Sequence, residues 1–202
     1  MTGRLKKEEE NREKIWQLIC ESRNGDERAF EKLVVLRREP IFWLAYQMLG
    51  NEDDAKEIAQ LAFIRLWRAL KKFKEEKSFD FWLRRLVTNL CLDELRKRKR
   101  ERALISSAVN RAKELSTQQH LINDNILIER ELQSIFNRIS AKLSPRQKTA
   151  FILMDMQGLS ATEVSKIMGC RKSTIRNHLM LARRFLRQQV INHYPEYIKK
   201  KK

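Results

Sequence analysis

Very little in this sequence can stop a helix. Five glycines and three prolines are spread over 202 residues, whereas strands and hairpins are bounded by such breakers every few residues. Leu, Lys, Arg, Glu and Ala dominate the remainder, and these side chains lose little rotamer freedom in a helix. An all-α chain follows, and a hydrophobic content of 42% is enough to build the core of one ordinary domain or of two small ones.

A formal net charge of +17 exceeds what solubility requires and points to a polyanionic partner, nucleic acid first. An anionic membrane surface would favour one basic amphipathic helix beside an apolar one, whereas here the cations fall in two separate regions. Cys20, Cys91 and Cys170 are odd in number, have no CxxC spacing and lie far from the three histidines, so neither a disulfide framework nor a zinc site is expected. The opening residues MTGRLKKEEENREKIW have charge but no apolar core, and no stretch reaches the length of a membrane span. The expectation is a reduced, cytoplasmic protein with no membrane insertion.

Helical periodicity places a first helix over residues 8–21 and a second over residues 26–49, bent or interrupted at Pro40. Gly50 stops the second, and Asn51-Glu52-Asp53-Asp54 is a capped, acidic start for a third that reaches about Phe73. The broad apolar face of this third helix, widened by Leu61, Ile64 and Trp67, predicts a place inside a bundle. After the charged loop Lys74-Glu75-Glu76-Lys77, a fourth helix starts near Ser78 and ends in the basic run Arg96 to Arg102. From residue 103 to 140 aromatics nearly vanish and the apolar pattern weakens, which reads as a partly helical linker. The sequence therefore divides into two small helical domains, 1–102 and 141–202, joined by residues 103–140.

The second domain carries the sharpest punctuation. Ser144-Pro145 is an N-cap followed by proline at the first helical position, and Gly158 marks the stop. Ser160-Ala161-Thr162-Glu163 is a capping box opening a short helix that Gly169 closes, and one more helix follows from about Ser173. Two helices joined by the tight Gly169-Cys170-Arg171 turn form a helix-turn-helix, whose second helix characteristically enters the major groove. In that helix Ile175, Leu179, Ala182 and Leu186 share the core face, while Ser173, Asn177, Met180 and Arg184 point away and Arg176 flanks them. Arginine suits guanine and asparagine suits adenine. An ordinary helical hairpin with a solvated basic face would give the same pattern.

In the first domain, Phe79, Phe81 and Trp82 precede the run Arg96, Lys97, Arg98, Lys99, Arg100 and Arg102. Cations that neutralise phosphates, beside rings on which unstacked bases can rest, suit single-stranded DNA. On periodicity alone such aromatics, Trp82 among them, are more often core residues.

The segments GDERAFEKLV, GNEDDAKEIAQLAFIRLWRAL, SFDFWLRRLVTNLCLDELRKRKR and LSPRQKTAFILMDMQGLSATEVSKIMGCRKSTIRNHLMLARRFLR, in this order, closely resemble the extracytoplasmic-function sigma factors. The resemblance implies an alternative sigma factor that binds core RNA polymerase and promoter DNA, needs no cofactor or metal, catalyses nothing itself, and has an anti-sigma factor as a candidate partner. By that resemblance Asp54, Glu57 and Gln60 contact the polymerase. Trp82, Asn89, Arg96, Lys97 and Arg98 serve the minus-ten element, with Asn89 at the pocket for a flipped base and the loop from Phe73 to Phe81 selecting that base. Arg171, Lys172, Ser173, Arg176, Asn177, Met180, Arg183 and Arg184 serve the minus-thirty-five element. The linker, about 57 Å long if fully helical, can connect two such elements.

Three positions depart from the pattern: Leu61 stands where an acidic residue is usual, and His178 and Leu181 stand where arginine is common. Two other readings remain open from the residues themselves. A helix-turn-helix regulator that does not replace sigma would account for the second domain and leave the first unexplained. A nuclease built on Asp53, Asp54 and Glu57 would require these carboxylates to bind metal, although acids in a helix's first turn are expected from its dipole alone.

Overall fold

The computed structural model describes residues 2–73, 78–106 and 124–194, and among them every regular element is helical. The chain divides into two compact units, residues 1–90 and 91–202, with the division falling inside one long helix.

In the first unit α1 (Thr2–Arg23), α2 (Glu27–Leu49) and α3 (Glu52–Ala69) pack in sequence, followed by a 3-10 turn (Leu70–Lys72) and the start of α4 (Phe79–Ser106). Local chemistry sets the boundaries. The Asp26 carboxylate accepts from the backbone N–H groups of Arg28 and Ala29 at the start of α2. Gly50 closes α2 at φ 78°, a left-handed conformation that a side chain would strain. The Asn51 side chain then accepts from the Asp54 N–H to open α3. The core between these helices is lined by Ile19, Leu33, Leu44, Leu66, Leu70 and Leu83, all essentially inaccessible to solvent. The first helix runs further at both ends than its apolar periodicity indicates, and the loop 74–77 lies outside the described residues.

Of the bend or interruption expected at Pro40, the interruption is absent: α2 runs unbroken through it. A proline at position 40 removes the amide that would bond the carbonyl of Leu36, one turn earlier. That carbonyl instead accepts from Nη1 of Arg37 at 3.3 Å. The same guanidinium donates from Nε to Oδ1 of Asp80 at 2.7 Å and from Nη2 to Oδ2 at 3.4 Å. Pro40 itself faces solvent, where its ring meets no packed neighbour helix.

In the second unit α5 (Asp124–Ser140), α6 (Pro145–Phe151), a five-residue π-helical turn (Ile152–Met156), α7 (Ala161–Met168) and α8 (Lys172–His193) form one helical body. The weak apolar pattern of residues 103–140 conceals a packed element: Gln133, Phe136, Ile139 and Ser140 of α5 are buried. Residues 107–123, the middle of the expected linker, lie outside the described residues. The helix expected to run from Ser144 to Gly158 widens over its last turn. There the Gln157 N–H donates to the Ile152 carbonyl and the Leu159 N–H to the Leu153 carbonyl. Ile152 and Leu153, adjacent in sequence, are both fully buried in this wider turn.

The Arg37 arrangement makes a specific expectation about stability. Arg37→Met should cost about 0.5 to 1.5 kcal/mol in urea unfolding, because it removes the donor of the Leu36 carbonyl and the cation of Asp80 at a site that water reaches. On a Pro40→Ala background the cost should be smaller, since alanine at that position restores the helical amide. Equal costs in both backgrounds would show that Arg37 does not repair the proline gap.

Candidate nucleic-acid and polymerase interfaces

The helix-turn-helix is built as its punctuation foretells. The Ser160 hydroxyl accepts from the Glu163 N–H while the Glu163 carboxylate accepts from the Ser160 N–H at 2.9 Å, and Gly169 closes α7 at φ 62°. Ile175, Leu179, Ala182 and Leu186 are buried. Arg171, Lys172, Ser173, Arg176, Asn177, Met180, Arg183 and Arg184 are all exposed, Met180 to 59%. Arg171, at the N-cap of α8, makes no side-chain capping bond, so the first amides of the helix point outward beside two cations.

These cations are not equivalent. Arg183 is engaged with Asp155, Nε donating to Oδ2 at 2.7 Å and Nη2 to Oδ1 at 2.5 Å. His178 turns inward: the residue is half-buried, and both ring nitrogens are enclosed with no hydrogen-bond partner. Leu181, by contrast, is 38% exposed. Of the two departures on this helix, one is sequestered and the other faces solvent.

Lys148 in α6 is also withdrawn from the surface. Its ammonium sits 5.5 Å from the centre of the Phe136 ring, which itself stacks on Phe151. Burial lowers its pKa to about 8.

On α4, Trp82 is half-buried, its ring 5.4 Å from Phe73 and 6.4 Å from Phe79. Trp16 of α1 joins the cluster through Phe73 at 6.4 Å. Seven-residue steps keep Trp82, Asn89 and Arg96 near one line along the helix. Asn89, Arg96 and Lys97 are exposed and Arg98 is half-buried. Arg96 pairs with Asp93 at 2.7 Å and Arg98 with Glu94 at 2.8 Å, both within the helix. Next to Asn89 and Leu90, burial pushes the Cys91 thiol up to about 12, against smaller opposing effects of a backbone hydrogen bond and of Arg98. It is a core thiol.

The third feature lies between α2 and α3, where an open groove of about 1000 Å³ has Phe30, Phe42, Phe63, Ile64 and Trp67 in its lining, with Gln60 among them. Phe30 and Trp67 meet at 4.7 Å. The helix packs in a bundle as expected, while Ile64 and Trp67 at the margin of its widened apolar face stay 43% and 36% exposed. The excess width was the available signal, since a face broader than one packing partner needs leaves residues at its margin. Glu57 and Gln60 are exposed on the same side as Ile64 and Trp67, whereas Asp54 is half-buried near the first turn of α3. Among the described residues no group of His, Cys, Asp or Glu is arranged to hold a metal ion, and no helix is long and apolar enough to cross a membrane.

Comparison with known proteins places these features in a family. Residues 33–101 match the model of sigma-70 region 2 and residues 134–186 that of sigma-70 region 4. Over 181 residues the chain is 30% identical to the ECF RNA polymerase sigma factor SigW of Bacillus subtilis, covering 87% of this chain and 96% of that one. The chain belongs to the ECF RNA polymerase sigma factors. The sigma-H factor of Pseudomonas aeruginosa is 28% identical over 83% of this chain and 89% of its own. Two solved structures share the fold: CnrH in complex with the cytosolic domain of CnrY, at TM-score 0.62, 19% identity and coverage of 87% and 96%, and the Bartonella quintana sigma factor RpoE in complex with the anti-sigma factor NepR, at 0.61, 22%, 82% and 98%. As an ECF sigma factor, this chain is an alternative sigma factor that directs promoter-specific transcription.

Lys148 carries a pH expectation for this sigma factor. Its folded pKa lies below its unfolded one, so between about pH 8 and pH 10.5 the unfolded chain binds more protons and stability contributed at this site rises with pH. Lys148→Met, free of the buried charge, should therefore be more stable than the parent near pH 7. The gap should narrow by roughly 1 to 2 kcal/mol at pH 10, less than the full shift because the Phe136 ring favours the cation. Urea midpoints of both proteins across this range provide the check, and a constant gap would refute the assignment.

Proposed function

We propose that this sigma factor divides its work between its two halves, residues 1–102 engaging core RNA polymerase and the minus-ten element and residues 141–202 the minus-thirty-five element, with residues 103–140 connecting them. The observation that carries this reading is the pairing of an open aromatic groove on α2 and α3 with a separate, fully exposed readout face on α8. A DNA-binding regulator needs only the second. The groove offers apolar area for a protein partner, and Asp54, Glu57 and Gln60 supply polar contacts from α3.

At the minus-ten element, Asn89 receives a flipped base and Trp82 forms part of the aromatic wall behind it. Arg96, Lys97 and Arg98 hold phosphates of the opened strand. Opening costs roughly 1.4 kcal/mol per base-pair step, and each captured base offsets part of that cost. At the minus-thirty-five element Arg176, Asn177 and Met180 read bases, while Arg171, Lys172, Ser173 and Arg184 position the helix on phosphates, helped by the outward amides of the α8 N-terminus. Arg183, already bound to Asp155, is the exception among the cations of this helix. The protein acts in the cytoplasm, contributes no catalysis of its own, and is open to control by an anti-sigma factor, since a sigma factor of the same fold is solved with such a partner.

The decisive experiment is in vitro transcription with core polymerase and the purified protein, followed by sequencing of transcript 5′ ends. Initiation at a defined promoter set, with loss of signal when another sigma factor competes for core, is the expected result. Binding of duplex DNA without competition for core would favour a regulator that does not replace sigma.

Asn89→Ala should impair promoter opening, read as permanganate reactivity of unpaired thymines, more than formation of the closed complex. Equal losses at both steps would make Asn89 a structural residue.

A further inference from the structure

We propose that Arg183 is a positioning residue of the recognition helix and makes no contact with DNA: the Asp155–Arg183 pair fixes the angle of α8 against the π-helical turn, so that base readout depends on a carboxylate outside the helix-turn-helix. This rests on the reading of α8 as the minus-thirty-five helix.

Two independent observations carry it. The first is commitment of the side chain. Two of the guanidinium's N–H groups form parallel bonds to the two carboxylate oxygens of Asp155, at 2.7 and 2.5 Å, across 28 residues of sequence. Such fork-on-fork pairing fixes orientation as well as distance. The second is placement around the helix. Taking Ile175 as zero, Arg183 lies at about 80°, on the flank of Arg176 at about 100° but two turns further along, whereas Met180, Arg184 and Asn177 lie at about 140°, 180° and 200°. Arg183 thus projects from the flank of the readout face, on the side where the π-helical turn passes.

Asp155 is held firmly enough to serve as an anchor. Its turn is rooted by Ile152 and Leu153, both fully buried, and its side chain is only 23% exposed. Arg183 is 60% exposed, so exposure alone would place it with the phosphate contacts. The anchor is what separates it from Arg184, the next residue in the chain.

A phosphate contact and a positioning contact have different signatures. Losing a phosphate contact weakens binding alike on all sequences and lowers the salt slope by about 0.9, while losing alignment of the helix reduces discrimination between sequences. The experiment uses the full-length protein in complex with core RNA polymerase. The probes are a promoter fragment recovered from its own in vitro transcripts and the same fragment with the minus-thirty-five element scrambled. Parent, Asp155→Asn, Arg183→Gln, both changes together, and the charge-reversed pair Asp155→Arg with Arg183→Asp are titrated at several salt concentrations.

The expected result is that Asp155→Asn and Arg183→Gln each reduce the ratio of affinities for matched and scrambled fragments by about threefold to tenfold, at unchanged salt slope. The double variant should be no worse than either single one, and the charge-reversed pair should recover most of the ratio. Three results would overturn the proposal. Arg183→Gln could lower the salt slope and weaken both fragments equally, while Asp155→Asn strengthens binding. The ratio could stay at the parent value in both single variants. A charge-reversed pair with intact helicity could fail to recover the ratio. Absence of matched-site preference in the parent itself would instead refute the minus-thirty-five reading on which the proposal rests.

Discussion

In the first unit, two functional surfaces hang on what Arg37 does with the gap that Pro40 leaves. A 23-residue helix with a proline in its second half has one carbonyl, that of Leu36, facing no amide. One guanidinium bonds both that carbonyl and the Asp80 carboxylate and so ties α2 to the first turn of α4. Continuity matters on one side because Phe30, Val34 and Phe42, which straddle Arg37 in sequence, line the same groove. The fastening matters on the other because α4 carries Trp82 and Asn89 within its next three turns. The Arg37 side chain is 14% exposed and that of Asp80 50%, so solvent screens the pair from the carboxylate side.

A net charge of +17 sets a second constraint, because every cation the fold does not neutralise repels the others until a polyanion arrives. The structure distributes its cations by availability. Lys148 is half-buried against a ring, and Arg37 and Arg183 are committed to carboxylates distant in sequence. Arg96 and Arg98 pair with neighbours three or four residues away in the same helix, bonds worth a few tenths of a kcal/mol that a phosphate can replace. Weak intrahelical pairing keeps such side chains ordered yet exchangeable.

What could be read from the sequence was whatever local chemistry decides. Ser160, Glu163 and Gly169 determine the helix-turn-helix within ten residues of chain, and the stripe from Ile175 to Leu186 needs only the helical repeat. The features that were missed depend on partners distant in sequence. The donor that the Leu36 carbonyl finds before Pro40 is Arg37, itself bonded to Asp80, 43 residues away. The helix α5 is masked because its buried set includes Gln133 and Ser140, polar residues that satisfy themselves on their own helix, Gln133 with Asn137 and Ser140 with the Asn137 carbonyl. The groove between α2 and α3 was visible as surplus apolar width, yet whether surplus is covered or open is a property of the neighbouring helix.

The departures on the recognition helix follow from the same reasoning. A histidine at position 178 brings an apolar ring edge and a short reach, and the structure turns it toward the protein, where an arginine would extend past the neighbouring turn into solvent. Leucine at 181 lies on the margin of the readout face, exposed and uncharged. Two sites that could neutralise phosphate are therefore lost from the middle of α8. Its N-terminus offers a replacement at a different place: Arg171 and Lys172 stand beside amides that no side chain caps, so fixed dipoles and two cations act on the same phosphate region. On the proposed reading, grip that moves toward the helix N-terminus pivots α8 about the end that carries Arg176 and Asn177. Alignment of the rest of the helix then falls to its attachment within the protein.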